Sequence, residues 1–323
     1  MALKTILEVM MAYYAASFVV FLCGYLFPPQ GEFVNSVPIL VSLLLLIPIY
    51  AWYRSYTRKA ELSKETVKND KGAVLTWILA LFVLALTIRI PSVLLYGTPL
   101  EKTSVILLTI LAIIVIEKTD TSAFGFTTRG FRKALFYGLS FFVLFYAVAQ
   151  AISCALAYVF TNQLLVESYD PVPFLLTLPF MTLCVGISEE GLFRGYMQTH
   201  LEKLFSSKKA IVMQALFFGV WHFVWNLSPL DLFAMAQYVG DTFFVGLLFG
   251  YFYSKTKNLT PLVFAHGLWD SFPQGIVESK LAFDAVGTLP FSSQALTFAL
   301  PYVVATLLTI FFIKRFVKKI AGD

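Results

Sequence analysis

Ten runs of apolar residues, separated by short polar segments, account for most of this chain. The runs lie at about residues 5–27, 37–53, 73–96, 103–116, 134–160, 174–204, 210–227, 230–254, 259–276 and 296–313. Within each run the apolar residues are continuous, whereas the strands of a transmembrane β-barrel alternate between apolar and polar positions. Because a helix needs about 20 apolar residues to cross a bilayer, the pattern predicts an all-α, polytopic membrane protein with about 8–10 transmembrane helices.

The composition agrees with this prediction and excludes a soluble globular protein. Hydrophobic residues make up 59% of the chain and charged residues 13%, and the mean hydropathy is +0.78. Such values are typical of a chain that is embedded in a membrane. Membrane lipid is therefore an expected partner.

Lysine and arginine residues are unevenly distributed between successive polar segments, and this indicates how the chain is oriented. All but four of the 24 lie in segments that the alternation assigns to one side, which the positive-inside rule makes the cytoplasmic side. The exceptions are Lys102 and Lys280, which we assign to outer loops, and Arg89 and Arg194, which fall inside apolar runs. Both termini are expected in the cytoplasm. The net charge of +5 follows from this topology, so no nucleic-acid partner is expected.

Three formal charges interrupt the run at 174–204, at Glu189, Glu190 and Arg194. A charged side chain at the bilayer centre costs about 2.5–3.5 kcal/mol, so such a cluster requires an explanation. Glu190 and Arg194 are spaced i, i+4 with the acid first, which is the favourable order for an ion pair on a helix. Glu189 projects about 100° away around the helix. We expect it to take up a proton or to meet a histidine, and either arrangement yields a general base.

Two further runs carry polar pairs with helical spacing. Phe218 and His222 are spaced i, i+4, as are His266 and Asp270, so the members of each pair share one helix face. We predict that these residues and Glu189 line one polar cavity inside the membrane. There Glu189 and His222 would hold and deprotonate a water molecule. His266 and Asp270 would face the oxygen that becomes negative when the water attacks a carbonyl group.

Three other positions bear on this site. Pro179 lies in the middle of the run at 174–204, where it is expected to kink the helix or to open its backbone hydrogen bonding. His200 is interpreted as an interfacial residue near the cytoplasmic end of the same run. Asp241, inside the run at 230–254, either lines the cavity or makes a structural hydrogen bond.

The motifs resemble those of the CPBP membrane proteases (CAAX protease and bacteriocin-processing, also called Abi), which include the type II CAAX prenyl endopeptidase, or Ras-converting enzyme. The family's three motifs occur in order at Glu189-Glu190-x-x-x-Arg194, Phe218-x-x-x-His222 and His266-x-x-x-Asp270. The resemblance covers about residues 120–276. It divides the chain into N-terminal transmembrane helices outside the family core (1–119), the protease core (120–276) and a C-terminal loop and helix (277–323).

The resemblance implies an all-helical intramembrane peptidase of the glutamate type. In this family the first glutamate and the first histidine activate water, and the second histidine with its partner stabilises the oxyanion. Carried over to this chain, the catalytic residues are Glu189, His222, His266 and Asp270, with Glu190 and Arg194 supporting them. Position 270 departs from family members that have asparagine there, because a carboxylate cannot donate to an oxyanion unless it is protonated. Asp270 is therefore expected to orient His266 instead.

The favoured function is an endopeptidase that hydrolyses a peptide bond without a cofactor, in a CAAX-type prenylated tail or another hydrophobic, membrane-associated peptide. One alternative is a zinc-dependent metalloprotease with Glu189, His222 and His266 as ligands, since histidine and carboxylate sets suit zinc. Another is a non-catalytic bacteriocin-immunity or binding protein, because a shared fold does not guarantee activity. A proton-coupled transporter would not be expected to carry all three motifs.

Overall fold

The computed structural model describes residues 3–28, 37–65 and 71–320, and all the predicted apolar runs form helices within them. Numbered along the chain, these helices and one further short helix are α1 (Leu3–Leu26), α2 (Val37–Lys59), α3 (Lys71–Tyr96), α4 (Lys102–Ile116), α5 (Phe131–Thr161), α6 (Pro171–Leu204), α7 (Ser207–Trp221), α8 (Leu232–Thr256), α9 (Thr260–Ser271), α10 (Lys280–Gly287) and α11 (Phe291–Phe316). Among the described residues, seven of them (α1, α2, α3, α5, α6, α8 and α11) are long and apolar enough to cross a bilayer. The chain is an integral, multi-pass membrane protein, and the predicted all-α fold class is confirmed.

The other three apolar runs form the short helices α4, α7 and α9. With 15 and 12 residues, α7 and α9 extend over about 22 and 18 Å, less than the ~30 Å of a hydrocarbon core. Both continue into a 3-10 turn, at Phe223–Asn226 and Phe272–Gly275. Irregular backbone at membrane depth is tolerated only where protein buries it or where it lines a cavity. The ends of these helices are thus positions at which a polar site is compatible with a membrane.

The winding of α6 changes along its length. Three segments follow Pro179, a π-helix at Met181–Gly186, an α-helical turn at Ile187–Glu189 and a second π-helix at Glu190–Gln198. Proline removes a backbone donor and disturbs the helix around it, and π-helical segments are frequent at functional sites. The predicted disturbance of this helix is confirmed, and Glu189 and Glu190 lie where the winding changes.

By their contacts, the described residues form two compact units. One comprises the described parts of 1–128 and 183–259, and the other those of 129–182 and 260–323. The first unit thus joins α1 to α4 with the second half of α6, α7 and α8. The predicted boundaries at residues 119 and 276 follow the motifs and stay a prediction.

The core of the first unit surrounds the second half of α6 with aromatic side chains. The ring of Phe193 packs edge-on against those of Phe218 and Trp221, with centroids 5.2 and 5.7 Å apart. Phe82 of α3 meets Phe193 at 6.4 Å. Edge-to-face packing of this kind adds to the burial of apolar area. It fixes α3, α6 and α7 relative to one another around Glu189.

In the second unit, α9 packs closely against the first half of α6. A Cβ atom at Gly267 would lie 2.8 Å from the Cα atom of Thr182, so this approach requires glycine. The antiparallel strands β1 (Val166–Tyr169) and β2 (Ile276–Glu278) pair in the same unit. This packing positions α9 and, with it, His266.

Candidate active site

Glu189 is buried in the first unit, with only 2% of its surface exposed. Its Oε1 atom accepts hydrogen bonds from Nζ of Lys102 at 2.5 Å and from Nε1 of Trp221 at 2.8 Å. Hydrogen bonds between charged partners are shorter and stronger than those between neutral ones. One carboxylate oxygen of Glu189 is therefore held by two donors, one of them a cation.

Lys102 belongs to a buried network of charged groups. Its Nζ atom lies 3.1 Å from Oε1 of Glu101, and the same oxygen lies 2.6 Å from Nη1 of Arg89. Nη1 of Arg89 is also 4.0 Å from Oε1 of Glu189. Arg89, Glu101 and Lys102 are each at most 1% exposed. Two cations and two carboxylates thus balance one another away from solvent, which is the condition under which buried charges are tolerated.

Arg89 connects this network to the end of α7. Its Nε atom donates a hydrogen bond of 2.9 Å to the carbonyl oxygen of Trp221. Its guanidinium group lies over the Trp221 ring, 4.3 Å from the centroid, in a cation–π arrangement. These contacts fix the backbone and the side chain of the residue that precedes His222.

The assignment of Lys102 to an outer loop was wrong. Lys102 begins α4 and is buried against Glu189, because its ammonium group balances carboxylates that come from elsewhere in the chain. Arg89 and Glu101 were given no role. The available signals were a basic residue inside an apolar run and an acid–base pair at the start of the next. Lys102 and Glu189, however, are 87 positions apart, and no local spacing rule connects them.

His222 follows the last residue of α7 and is 8% exposed. Its Nδ1 atom lies 2.8 Å from the carbonyl oxygen of Phe218. Since a carbonyl oxygen can only accept, Nδ1 carries the hydrogen, and Nε2 of the neutral ring is an acceptor. Nε2 lies 3.9 Å from Oε2 of Glu189. This separation exceeds a hydrogen bond, and it allows one water molecule to donate to both atoms.

Glu190 and Arg194 form the predicted ion pair. Nη1 of Arg194 donates to Oε1 of Glu190 at 3.1 Å, and both side chains are fully buried. The guanidinium group lies 4.1 Å from the ring centroid of Phe218 and 5.0 Å from that of Phe249. Among the described residues, no atom accepts a hydrogen bond from Nε or Nη2 of Arg194. The charge of Arg194 is thus balanced by Glu190 and two aromatic faces.

His266 and Asp270 lie on α9 in the second unit. Nε2 of His266 is 3.4 Å from Oδ2 of Asp270, and the two side chains are 8% and 30% exposed. The prediction that they share one helix face is confirmed. The structure thus brings Glu189 together with His222 and Glu190 with Arg194 in one unit, and His266 with Asp270 in the other.

His200, interpreted above as an interfacial residue, is 3% exposed. Its Nε2 atom lies 3.0 Å from Oε1 of Glu117, and this oxygen also accepts a hydrogen bond of 2.6 Å from the Tyr196 hydroxyl. The ring packs against Phe124, with centroids 5.3 Å apart. His200 therefore has a structural role in the interior of the first unit.

The charge around Glu189 does not favour a zinc ion at this carboxylate. Nζ of Lys102 and Nη1 of Arg89 lie 2.5 and 4.0 Å from Oε1 of Glu189. A metal cation bound to this oxygen would be repelled by both.

Fold and site together define a class of protein, a multi-pass membrane protein with a buried glutamate–histidine pair. Residues 171–272 match the family described as type II CAAX prenyl endopeptidase Rce1-like. This range, about a third of the chain, begins with α6, ends just after α9 and contains all three motifs. This segment is similar to the Rce1-like family, which confirms the resemblance to CPBP proteases, and the match implies a protease. No curated protein and no solved structure gave a significant match.

Proposed function

We propose that this protein is an intramembrane endopeptidase in which Glu189 and His222 activate a water molecule that hydrolyses a peptide bond. The observation that carries the proposal is the gap of 3.9 Å between Oε2 of Glu189 and Nε2 of His222. A water molecule in this gap donates one hydrogen to each atom, so a lone pair on its oxygen points away from both. Two acceptors placed in this way fit a general base that removes a proton during attack.

The reaction balances within these groups. The water oxygen forms a bond to the carbonyl carbon, and its proton passes to the Glu189–His222 pair. The tetrahedral intermediate then breaks its carbon–nitrogen bond, and the leaving amine receives that proton. A carboxylic acid and an amine are the products, and no covalent enzyme intermediate is needed.

Lys102 is a positioning residue in this proposal. It holds Oε1 of Glu189 together with Trp221, at 2.5 and 2.8 Å, while Oε2 is the oxygen nearer to His222. Its positive charge also offsets the cost of a carboxylate in a site with little water. The N-terminal helices, which precede the family match, thus contribute to the proposed catalytic machinery.

For His266 and Asp270 we propose the oxyanion role that the third motif implies. A carboxylate 3.4 Å from Nε2 of His266 stabilises the imidazole ring in its charged form. A charged ring has a second N–H, on Nδ1, which can donate to an oxygen that becomes negative. Asp270 acts on the ring rather than on the substrate.

The proposed substrate is a peptide at the membrane, either a CAAX-type prenylated tail or another hydrophobic, membrane-associated segment. The family match supports this choice. The cation beside Glu189 disfavours the zinc alternative, and the intact Glu189–His222 pair disfavours a purely binding function. Both alternatives remain outcomes of the following experiment.

The test uses the purified full-length chain in nanodiscs and quenched fluorescent peptides, prenylated or not, whose cleavage products are identified by mass spectrometry. Glu189→Gln and His222→Ala are each expected to lower kcat/KM by about 100- to 10,000-fold. The control Glu61→Gln changes an exposed glutamate and should leave kcat/KM unchanged. Chelators should have no effect. Near-normal turnover by either site variant would overturn the proposed pair, and turnover restored only by added zinc would establish the metalloprotease.

A further inference from the structure

A polar cavity lies beside the candidate active site in the first unit. We call it the α8 pocket; its volume is about 460 Å³, and it is lined by Trp225, Asn226, Ala234, Gln237, Tyr238 and Asp241. This volume falls within the range of about 300–1,000 Å³ that is typical of ligand sites. No residue that we assign to the chemistry lines this pocket, so the proposed reaction leaves it unexplained.

The α8 pocket adjoins the Glu189–His222 site. The ring of Tyr238 meets that of His222 edge-on, with centroids 5.6 Å apart. The ring of Trp225, on the other side, lies 5.8 Å from the guanidinium group of Arg89. A peptide whose reactive bond lies at His222 would therefore extend a neighbouring residue into this pocket.

Asp241 is the most informative residue in the lining. It lies about two and a half turns into α8, one of the helices that can span the membrane. A carboxylate in contact with lipid is costly, yet Asp241 is exposed. Among the described residues, no donor or cation binds its side chain. Such a carboxylate is accounted for if it faces a water-filled cavity or a ligand that supplies the missing donor.

Two amide side chains add acceptor oxygens to the pocket, besides their own N–H groups. Oδ1 of Asn226 is buried and accepts no hydrogen bond from any described residue. Gln237 adds a side-chain carbonyl to the lining, and Asp241 is its one charged residue. The pocket thus offers several acceptors and a negative charge. A ligand with N–H donors and a positive charge is complementary to it.

We propose that the α8 pocket is a substrate subsite that binds a lysine or arginine side chain next to the scissile bond, with Asp241 as its ion-pair partner. The inference rests on the proposed peptidase function and names the kind of substrate that this site selects. A long aliphatic stem with a cationic end fits an open pocket that offers two aromatic rings and a carboxylate. Asn226 and Gln237 then accept hydrogen bonds from the peptide main chain or from the cationic group.

The test compares matched membrane peptides that carry lysine or glutamine at each of the three positions on either side of the scissile bond. At one position, the parent protein should cleave the lysine peptide about 10- to 100-fold better, as measured by kcat/KM, because a hydrogen-bonded charge pair is lost with glutamine. Asp241→Asn should reduce this ratio to near one. Asp241→Lys should reverse the charge preference, so that a matched peptide with glutamate at this position is cleaved better than the lysine peptide. The control Asp284→Asn, an exposed aspartate outside the pocket, should retain the parental ratio.

Binding to the Glu189→Gln variant separates this inference from the proposed function. If the parent protein cleaves peptides but Asp241→Asn keeps the parental preference, the subsite is wrong and the peptidase stands. A second outcome is that no peptide is cleaved, yet the Glu189→Gln protein binds the lysine peptide more tightly than the glutamine peptide. If adding Asp241→Asn then abolishes this difference in binding, the subsite stands and the peptidase function is wrong. Equal binding of both peptides with equal cleavage overturns the subsite.

Discussion

The first and third motifs of the candidate site both place a carboxylate near a histidine, yet they are built in different ways. Glu189 is 2% exposed and is held by donors from two other helices, Lys102 and Trp221. His266 and Asp270 lie one turn apart on α9, 3.4 Å from each other, and Asp270 keeps 30% of its side chain exposed. The first arrangement depends on tertiary structure, and the second on one helix.

This difference determines how each group responds to mutation. The charge on Glu189 cannot be compensated by water, since every member of its network is almost completely buried. Removing one partner therefore leaves a charge without compensation in a medium of low dielectric constant. Asp270, in contrast, is only partly buried and, among the described residues, contacts a single charged partner, His266. A change there costs little stability, so an effect on turnover would report on chemistry.

The largest effect is expected for Lys102→Met, which removes the cation from Glu189. Loss of one member of a buried ion pair costs about 3–5 kcal/mol, and loss of the contact that fixes Oε1 should lower kcat about 100-fold or more. Lys102→Arg should retain part of the stability and part of the kcat that Lys102→Met loses. The measurements are thermal unfolding in detergent and kcat on a cleaved peptide. The matched control is Lys280→Met, since Lys280 was also assigned to an outer loop but is exposed.

A double mutant separates the ion pair from other effects of the Lys102 substitution. Replacing both charges, as in Lys102→Met with Glu189→Gln, should restore part of the lost stability, because no charge is then left without its partner. If the stability lost in the double mutant equals the sum of the losses in the two single mutants, the two side chains are not energetically coupled. The first motif would then tolerate substitution as well as the third motif is expected to.

The second largest effect is expected for Glu190→Gln, which leaves Arg194 buried and without its carboxylate. We expect a loss of about 3 kcal/mol or more in the free energy of unfolding. Glu202→Gln provides the comparison, because Glu202 pairs with Lys257 at a partly exposed site, where about 1 kcal/mol or less is expected. If Glu190→Gln is as stable as the parent but inactive, Glu190 belongs to the chemistry rather than to the scaffold.

The same contrast explains what the sequence could predict. The pairs Glu190–Arg194 and His266–Asp270 follow from i, i+4 spacing, because helical geometry alone brings such residues together. Continuous apolar runs likewise suffice to predict the helices and the fold class. These features are local, and the structure contains them as expected.

What the sequence could not predict are the contacts between distant segments. A lysine at the start of an apolar run resembles a loop residue, and only the folded chain shows that Lys102 meets Glu189. The rings of Phe218 and His222 meet edge-on, as their spacing predicts, with centroids 4.8 Å apart, but the spacing does not show their other contacts. The histidine binds the backbone carbonyl of Phe218, and the phenylalanine ring packs against Arg194. Spacing thus identified this side-chain pair but not the additional contacts with the backbone and with Arg194.

The smallest effect is expected for Asp270→Asn. Because Asp270 is partly exposed, its replacement should change the free energy of unfolding by about 1 kcal/mol or less. Turnover should be kept or raised, since the amide can donate to the oxyanion directly and so replaces the donor that the charged His266 ring supplies in the parent protein. Chelators should leave turnover intact. The measurement is kcat with and without chelator, with Asp284→Asn as control. A zinc site requires the opposite, because loss of a charged ligand weakens the metal and chelation stops turnover. A large fall in kcat without loss of stability would show that the carboxylate itself is required. The third motif would then depend on its charged side chain as strictly as the first motif does.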